Sequence, residues 1–194
     1  LISIIILTFL GLGLSRIKPV TGDIYARDGY AIVALAWLLV SIFGALPFLI
    51  SKAIPSVFDA LFESASAFST TGASILREVE GLPKGLLFWR SSAHWMGGMG
   101  VLVLMIAVLP SVKANTLYIM KAETPGPVPE KFVPKVGQTA KILYVIYIAM
   151  TAIEVIFLLA GGMSLYDALI HAFGTASTGG FSNRNASIGA YNSD

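Results

Sequence analysis

Apolar residues in this chain gather into long runs. Three of them are long enough to cross ~30 Å of hydrocarbon at ~1.5 Å per helical residue. Tyr30 to Ile50 contains no charged residue, Ser91 to Val112 contains no Asp, Glu, Lys or Arg, and Ile142 to Ala160 is apolar except for Glu154. Two further runs, Phe58 to Phe68 and Tyr166 to Ala176, are too short to span a bilayer as helices. Runs of that length suggest re-entrant segments or core helices. Each leads into small polar residues: Ser69-Thr70-Thr71-Gly72-Ala73-Ser74 after the first, Ser177-Thr178-Gly179-Gly180-Phe181-Ser182 after the second. The opening stretch, Leu1 to Leu14, is also apolar but falls short of a span, and it lacks a basic leader and a small-residue cleavage site. It reads as the tail of a membrane helix, and Tyr191 to Asp194 reads as a polar loop with no closing helix.

The two short runs are copies of one another. Shifting the chain by 108 positions superposes Ser56 on Ser164, Asp59 on Asp167, Ala60 on Ala168 and Leu61 on Leu169. It also superposes Ser69 on Ser177, Thr70 on Thr178, Gly72 on Gly180 and Ser74 on Ser182. An internal repeat of this kind decides the architecture. The unit is long helix, short helix, Thr/Gly-rich stretch, long helix. The expected organisation is a preceding helix end and linker over 1–29, a first repeat over 30–112, a connecting loop over 113–141, and a second repeat over 142–194 without its last helix. The fold class is an all-α membrane protein built from repeated helix–pore-helix–filter–helix units.

Charge sets the orientation. Lys113, Lys121, Lys131, Lys135 and Lys141 fall in the connecting loop, and Arg16, Lys18 and Arg27 precede the first span. The other side carries five basic residues: Lys52, Arg77, Lys84, Arg90 and Arg184. By the positive-inside rule the loop is cytoplasmic, and the short helices enter from outside. Composition agrees with a membrane setting: 56% of residues are hydrophobic and 12% charged, against ~25% charged in a typical soluble domain. A net charge of +2 gives no reason to expect nucleic acid. The chain has no cysteine, hence no disulfide or thiolate site, and only two histidines, His94 and His171.

Each short helix begins with Ser-x-x-Asp, a capping-box arrangement with Asp in place of the usual Glu. An acid in the first turn suits the positive end of the helix dipole, and the opposite end carries about half a negative charge. If the helix re-enters from outside, that end points toward the bilayer centre and favours a cation. Non-helical backbone at that depth is tolerated only where it is buried in protein or lines water. A selectivity filter supplies that reason, because carbonyl oxygens turned to an axis replace the water around an ion. Some positions then need positive φ, which Gly accepts without steric cost. A single Thr-Gly is more often a turn; two copies, each behind a capped short helix and a full span, point to a filter. The expected ion-binding residues are Thr70, Thr71, Gly72, Ala73, Thr178, Gly179, Gly180 and Phe181.

Phe62 to Ala73, Phe88-Trp89-Arg90 with His94 to Gly100, Lys121 to Pro127, and Ser177 to Ser182 resemble, in order, motifs of the Trk/Ktr family of bacterial potassium uptake proteins. The resemblance covers the chain from about Asp28 to Asp194. It implies four repeats around one pore, of which one and a half stand here. It implies potassium as the transported ion, no bound cofactor, and a multi-pass place in the bacterial cytoplasmic membrane. It also implies a homodimer on a cytosolic nucleotide-binding regulatory subunit, with membrane lipid as the surroundings. Members with Ser in place of the first filter glycine lean toward sodium, and Gly72 therefore favours potassium.

Other residues take supporting roles in this reading. An acid inside a span costs ~2.5–3.5 kcal/mol on insertion scales, so Glu154 is expected to bond backbone or hydroxyls behind the second pore loop. Gly97, Gly98 and Gly100 put small residues in one turn and are expected to pack against the first pore helix. Glu63 and His171 occupy equivalent positions and are expected to hold neighbouring groups. Pro125, Pro127, Pro129 and Pro134 rule out a continuous helix over that stretch and suggest a linker or a docking surface. Asn185-Ala186-Ser187 fits a glycosylation sequon, without meaning in a bacterial protein. The function expected is potassium uptake. A sodium or mixed-cation path on the same scaffold is the alternative. An intramembrane enzyme would need a nucleophile–base pair or metal cluster, and no such spacing is present.

Overall fold

A computed structural model of the protein describes residues 8–9, 11–13, 16, 26–100 and 136–191. Among these the regular elements are helices: α1 (Ala26–Ile50), α2 (Val57–Phe68), α3 (Lys84–Gly98), α4 (Val136–Ala160), α5 (Leu165–Ala176), and a 3-10 turn over Ser187–Ala190. The second half of the Ser91–Val112 run, the Pro-rich stretch, most of the 113–141 loop, most of residues 1–25 and positions 192–194 lie outside the described residues.

Two helices are long and apolar enough to cross a membrane, over Ala31–Ile50 and Lys141–Ala160. Their surfaces are largely exposed, with Leu35, Leu38, Val145, Ile156 and Phe157 all open. A core helix of a water-soluble protein would bury such residues; hydrocarbon accepts them. Each long helix packs against the short helix that follows it, α1 on α2 and α4 on α5. Helix α3 packs against both short helices and joins the two halves.

The third expected span is described only as far as Gly100. Helix α3 begins at Lys84, after Pro83, and ends at Gly98 rather than running on from Ser91 through 100. Gly100 takes φ +67 and its N–H donates to the Gly97 carbonyl at 2.8 Å. Proline's fixed φ suits the first turn of a helix, and glycine's access to the left-handed region suits its close.

Close contacts hold the helices in register. The Trp89 indole N–H on α3 donates to the Gly44 carbonyl on α1 at 3.0 Å. At Gly44 a Cβ would stand 2.5 Å from both the Ser64 hydroxyl and the Phe68 ring, so α1 can approach α2 only through a glycine. On the other side the Trp95 indole donates to the Thr151 hydroxyl at 3.0 Å, and the Tyr147 hydroxyl donates to the Trp95 carbonyl at 3.0 Å. A buried cluster of Ala67, Phe68, Ala93 and Phe181 sits where α2, α3 and the stretch after α5 meet.

Candidate ion-binding site

The two short helices start alike. Ser56 and Ser164 are extended N-caps whose hydroxyls accept the backbone N–H of Asp59 at 3.4 Å and of Asp167 at 3.1 Å. Each helix is twelve residues long and starts one residue before the apolar run that marks it in the sequence.

They also end alike. Ser69 N–H donates to the Ala65 carbonyl and Ser177 N–H to Phe173. Thr70 N–H donates to Ala67 and Thr178 N–H to Thr175; Thr71 N–H donates to Ser66 and Gly179 N–H to Gly174. The last two bonds of each set form a Schellman closure, which requires a left-handed residue, usually glycine. Here that residue is threonine in both copies, Thr70 at φ +55 and Thr178 at φ +62. Two positions on, Gly72 has φ +74 and Gly180 φ +82. A β-branched residue in the left-handed region is strained by about 1–2 kcal/mol. Such strain persists only where the surroundings over-determine it, and it gathers at functional sites.

The two stretches touch. A Cβ on Gly72 would overlap the Gly179 carbonyl oxygen, whereas one on Gly180 would meet nothing within 4 Å. Thr71 and Ser69 share a hydroxyl–hydroxyl bond of 2.7 Å. The carbonyls of Ala73 and Phe181 are turned elsewhere. The Ser66 hydroxyl donates to Ala73 O, and Phe181 O lies 2.6 Å from where a Gly174 Cβ would stand. Although the sequence puts Ala73 and Phe181 among the expected ion-binding residues, they close the stretch and their carbonyls face the short helix behind.

Helix α3 is the backing of both stretches. A Cβ on Gly97 would overlap the Phe68 backbone at the end of α2. Gly98 faces Ser177 and the Tyr147 hydroxyl, so it packs on the second unit and not on the first short helix as the sequence suggests. Gly100 takes its left-handed φ just past the end of the helix. One helical turn earlier, His94 is wholly buried against Gly179, with its ring 4.3 Å from the Phe181 ring.

Arg90 belongs to one of the motifs that carry the resemblance, but the sequence assigned it no role. It counts there as one of five basic residues on the outer side, yet it is only 3% exposed. Its Nε donates to the Glu63 carboxylate on α2, and its Nη1 donates to the Ser182 carbonyl at 3.2 Å. Its guanidinium carbon stands 3.4 Å above the centre of the Phe181 ring. Glu63, fully buried, also accepts from the Ser74 hydroxyl at 2.9 and 3.1 Å and from the Ile75 N–H at 3.1 Å. A buried carboxylate is tolerable when paired and supplied with further donors, which this one is.

His171, at the position equivalent to Glu63, makes no such pair. Its ring meets Tyr191 edge-on at 5.4 Å. Glu154 on α4 lies near Thr175, close to the end of α5. Near the start of α5, Asp167 accepts from the Asn183 amide. Burial by itself would raise the Asp167 carboxyl, but hydrogen bonds from Asn183 and Ser164 and the nearby Arg184 outweigh it and hold it below the ordinary value. The loops that follow the two stretches are knit by Val79 N–H to the Asn185 side chain at 2.9 Å and Asn185 N–H to Glu80 at 3.2 Å. Among the described residues, no three His, Asp or Glu side chains converge in a way that could hold a metal ion. The donors the site offers are backbone carbonyls and hydroxyls, which suit a monovalent cation.

Comparison with known proteins adds family evidence. Residues 2–194 match the TrkH family, described as cation transport protein. The chain is 44% identical over 174 residues to the Trk system potassium uptake protein TrkH of Vibrio parahaemolyticus, covering 88% of the chain and 36% of that protein. It is 40% identical over 174 residues to the TrkH of Escherichia coli K12, covering 89% and 36%. It is 38% identical over 162 residues to the Trk system potassium uptake protein TrkI of Halomonas elongata, covering 84% and 33%. The chain thus spans about a third of the length of these relatives.

Proposed function

This chain belongs to the TrkH family of cation transport proteins, and on that premise we propose that it carries part of a potassium uptake path whose selectivity filter includes residues 70–72 and 178–180. Its relatives are named as transport proteins, so the chain's family is one of transporters and not of enzymes. The observation that carries the filter reading is the paired backbone: left-handed residues at Thr70 and Gly72, and again at Thr178 and Gly180, in two stretches that touch.

The physical reason is geometric. In an ordinary strand successive carbonyls point to opposite sides. Left-handed residues at every second position bring them round to one side, where they can replace an ion's hydration shell. Ala73 and Phe181 end each stretch in this reading and contribute packing. Thr70, Thr71, Gly72, Thr178, Gly179 and Gly180 contribute oxygens to the ion. The carboxyl ends of α2 and α5 lie immediately before these oxygens and add a negative potential of about half a charge each. Residues 30–112 and 142–194 are two pore-loop repeats joined by a cytoplasmic 113–141 loop, in a multi-pass protein of the bacterial cytoplasmic membrane. A homodimer and a cytosolic nucleotide-binding subunit complete the reading on the strength of the resemblance alone.

Gly180→Ala tests it directly. The added methyl has room, so any effect comes from φ +82, which costs a Cβ about 1–2 kcal/mol. Competitive rubidium and sodium flux in proteoliposomes, normalised to inserted protein, should show a lower rubidium preference. An unchanged ratio overturns the filter reading. A wild-type ratio at or below one assigns the path to sodium or mixed cations instead. Gly72→Ser is a poorer probe than the sequence suggests, because its Cβ would overlap the Gly179 carbonyl and disturb both stretches at once.

A further inference from the structure

Nothing in the filter reading requires a side chain outside the two stretches. Yet one face of α3 touches the second stretch at three successive places. Arg90 and His94 are four residues apart and therefore lie one above the other on that face. Both reach the Phe181 ring, the guanidinium carbon at 3.4 Å and the imidazole centre at 4.3 Å. Arg90 also donates to the carbonyl of Ser182, the next residue along. His94 stands directly behind Gly179, where any Cβ would overlap its Nε2. Gly98, one turn further on, faces Ser177 at the start of the stretch.

His94 is fully buried, and neither ring nitrogen has a hydrogen-bond partner among the described residues. Its visible contacts are instead with the second stretch.

We propose that Arg90 and His94 are positioning residues for ion selectivity, gripping Phe181 between them and thereby setting the height of Gly179 and Gly180. The proposal rests on the filter reading. Phe181 is the handle: its ring is held by α3, and its backbone follows directly on Gly180. The grip is built by the first unit and acts on the second, so α3 fixes the two stretches relative to each other. Glu63 neutralises and orients the guanidinium, which keeps an unpaired positive charge away from a cation's path. Lysine cannot replace Arg90 in this role, because its ammonium lacks the planar fork that stacks on a ring and reaches two acceptors at once.

The test uses the complete transporter in proteoliposomes, with competitive rubidium and sodium flux normalised to inserted protein. Arg90→Lys and Phe181→Leu are each expected to lower the rubidium-to-sodium ratio by about three- to tenfold, the size of effect that neighbours in one network exert on each other. His94→Gln is expected to move it in the same direction. The double variant Arg90→Lys/Phe181→Leu should fall no further than the larger single one, because both act through one ring. Phe181→Leu leaves the Arg90–Glu63 pair in place, so it decides the matter if Arg90→Lys fails to insert. Unchanged ratios for Arg90→Lys and Phe181→Leu, or independent multiplying effects in the double variant, overturn the proposal. So does failure of both to insert, since the residues would then hold the fold and nothing finer. Gly180→Ala separates the two levels. If it shifts the ratio and the α3 variants do not, the grip is wrong and the filter stands; if it too is silent, the filter reading itself has failed.

Discussion

The first and second short-helix units share a backbone but are tethered in different ways. In the first, the stretch after α2 is tied from within its own unit: Ser66 donates to Ala73 O, and Glu63 gathers Ser74 and Ile75. In the second, the same two positions are Gly174 and His171, whose side chains supply no such tie; the ties from within are the Gly174 carbonyl on Gly180 N–H and Asp167 on the Asn183 amide. The stretch after α5 is also held from outside, by Arg90 on Ser182 and Phe181 and by His94 on Gly179 and Phe181. A duplicated backbone therefore does not require duplicated anchors. With α3 between the two units, one buried arginine reaches both the acid behind the first stretch and the Ser182 carbonyl of the second.

That comparison breaks most visibly at Glu63. Glu63→Gln leaves Arg90 buried without its counter-charge, and removing one member of a buried pair costs about 3–5 kcal/mol. The equivalent His171→Gln removes no such partner and should cost about 1 kcal/mol, the ordinary toll of a single substitution. Thermal unfolding of the two detergent-solubilised variants measures the difference. Equal losses would mean that the anchors are symmetric after all.

A smaller effect is expected at α3. Gly97→Ser forces a Cβ into the Phe68 backbone, an overpacking that costs about 1–3 kcal/mol. It should lower the amount of inserted protein without a specific change in the rubidium-to-sodium ratio. A changed ratio at full insertion would move Gly97 from packing to ion selection.

The helix starts should respond alike, which sharpens the contrast with the helix ends. Ser56→Ala and Ser164→Ala each remove an N-cap acceptor and should each cost about 1 kcal/mol. A difference between them well beyond that would show that the two units are not equivalent even where their geometry agrees.

The smallest effect is at the start of α5. The Asp167 carboxyl lies below its ordinary value when folded, so its contribution is present above the unfolded carboxylate pKa and is lost as pH falls through the folded one. Stability should therefore drop on the acid side of the usual carboxylate range. Asp167→Asn should flatten that part of the curve, as followed by unfolding temperature against pH. A curve of unchanged shape would mean that Asn183 and Arg184 do not hold the charge.

Much of this arrangement was legible in the residues. The long apolar runs predict α1 and α4 because a bilayer needs length and apolarity, both local properties of the chain. The Ser-x-x-Asp pairs predict where α2 and α5 start, because a cap bonds within one turn. Gly72 and Gly180 could be assigned positive φ because glycine alone accepts it without strain. Thr70 and Thr178 gave no such warning: a β-branched residue in the left-handed region runs against local preference and is held there by its surroundings. The early close of α3 at Gly98 was hidden inside an apolar run that reads as one continuous span.

The anchors were out of reach for a different reason. Arg90 meets Glu63 across 27 positions and Ser182 across 92. The Phe88-Trp89-Arg90 motif marks Arg90 by resemblance, but nothing near it in the chain says which groups it meets. Hydropathy, capping and φ preference act over a few residues, and those the sequence determines by itself. Which helix stands between two copies, and which of its side chains then reach both, is decided only when the helices pack, because it depends on distances between residues that the chain keeps far apart.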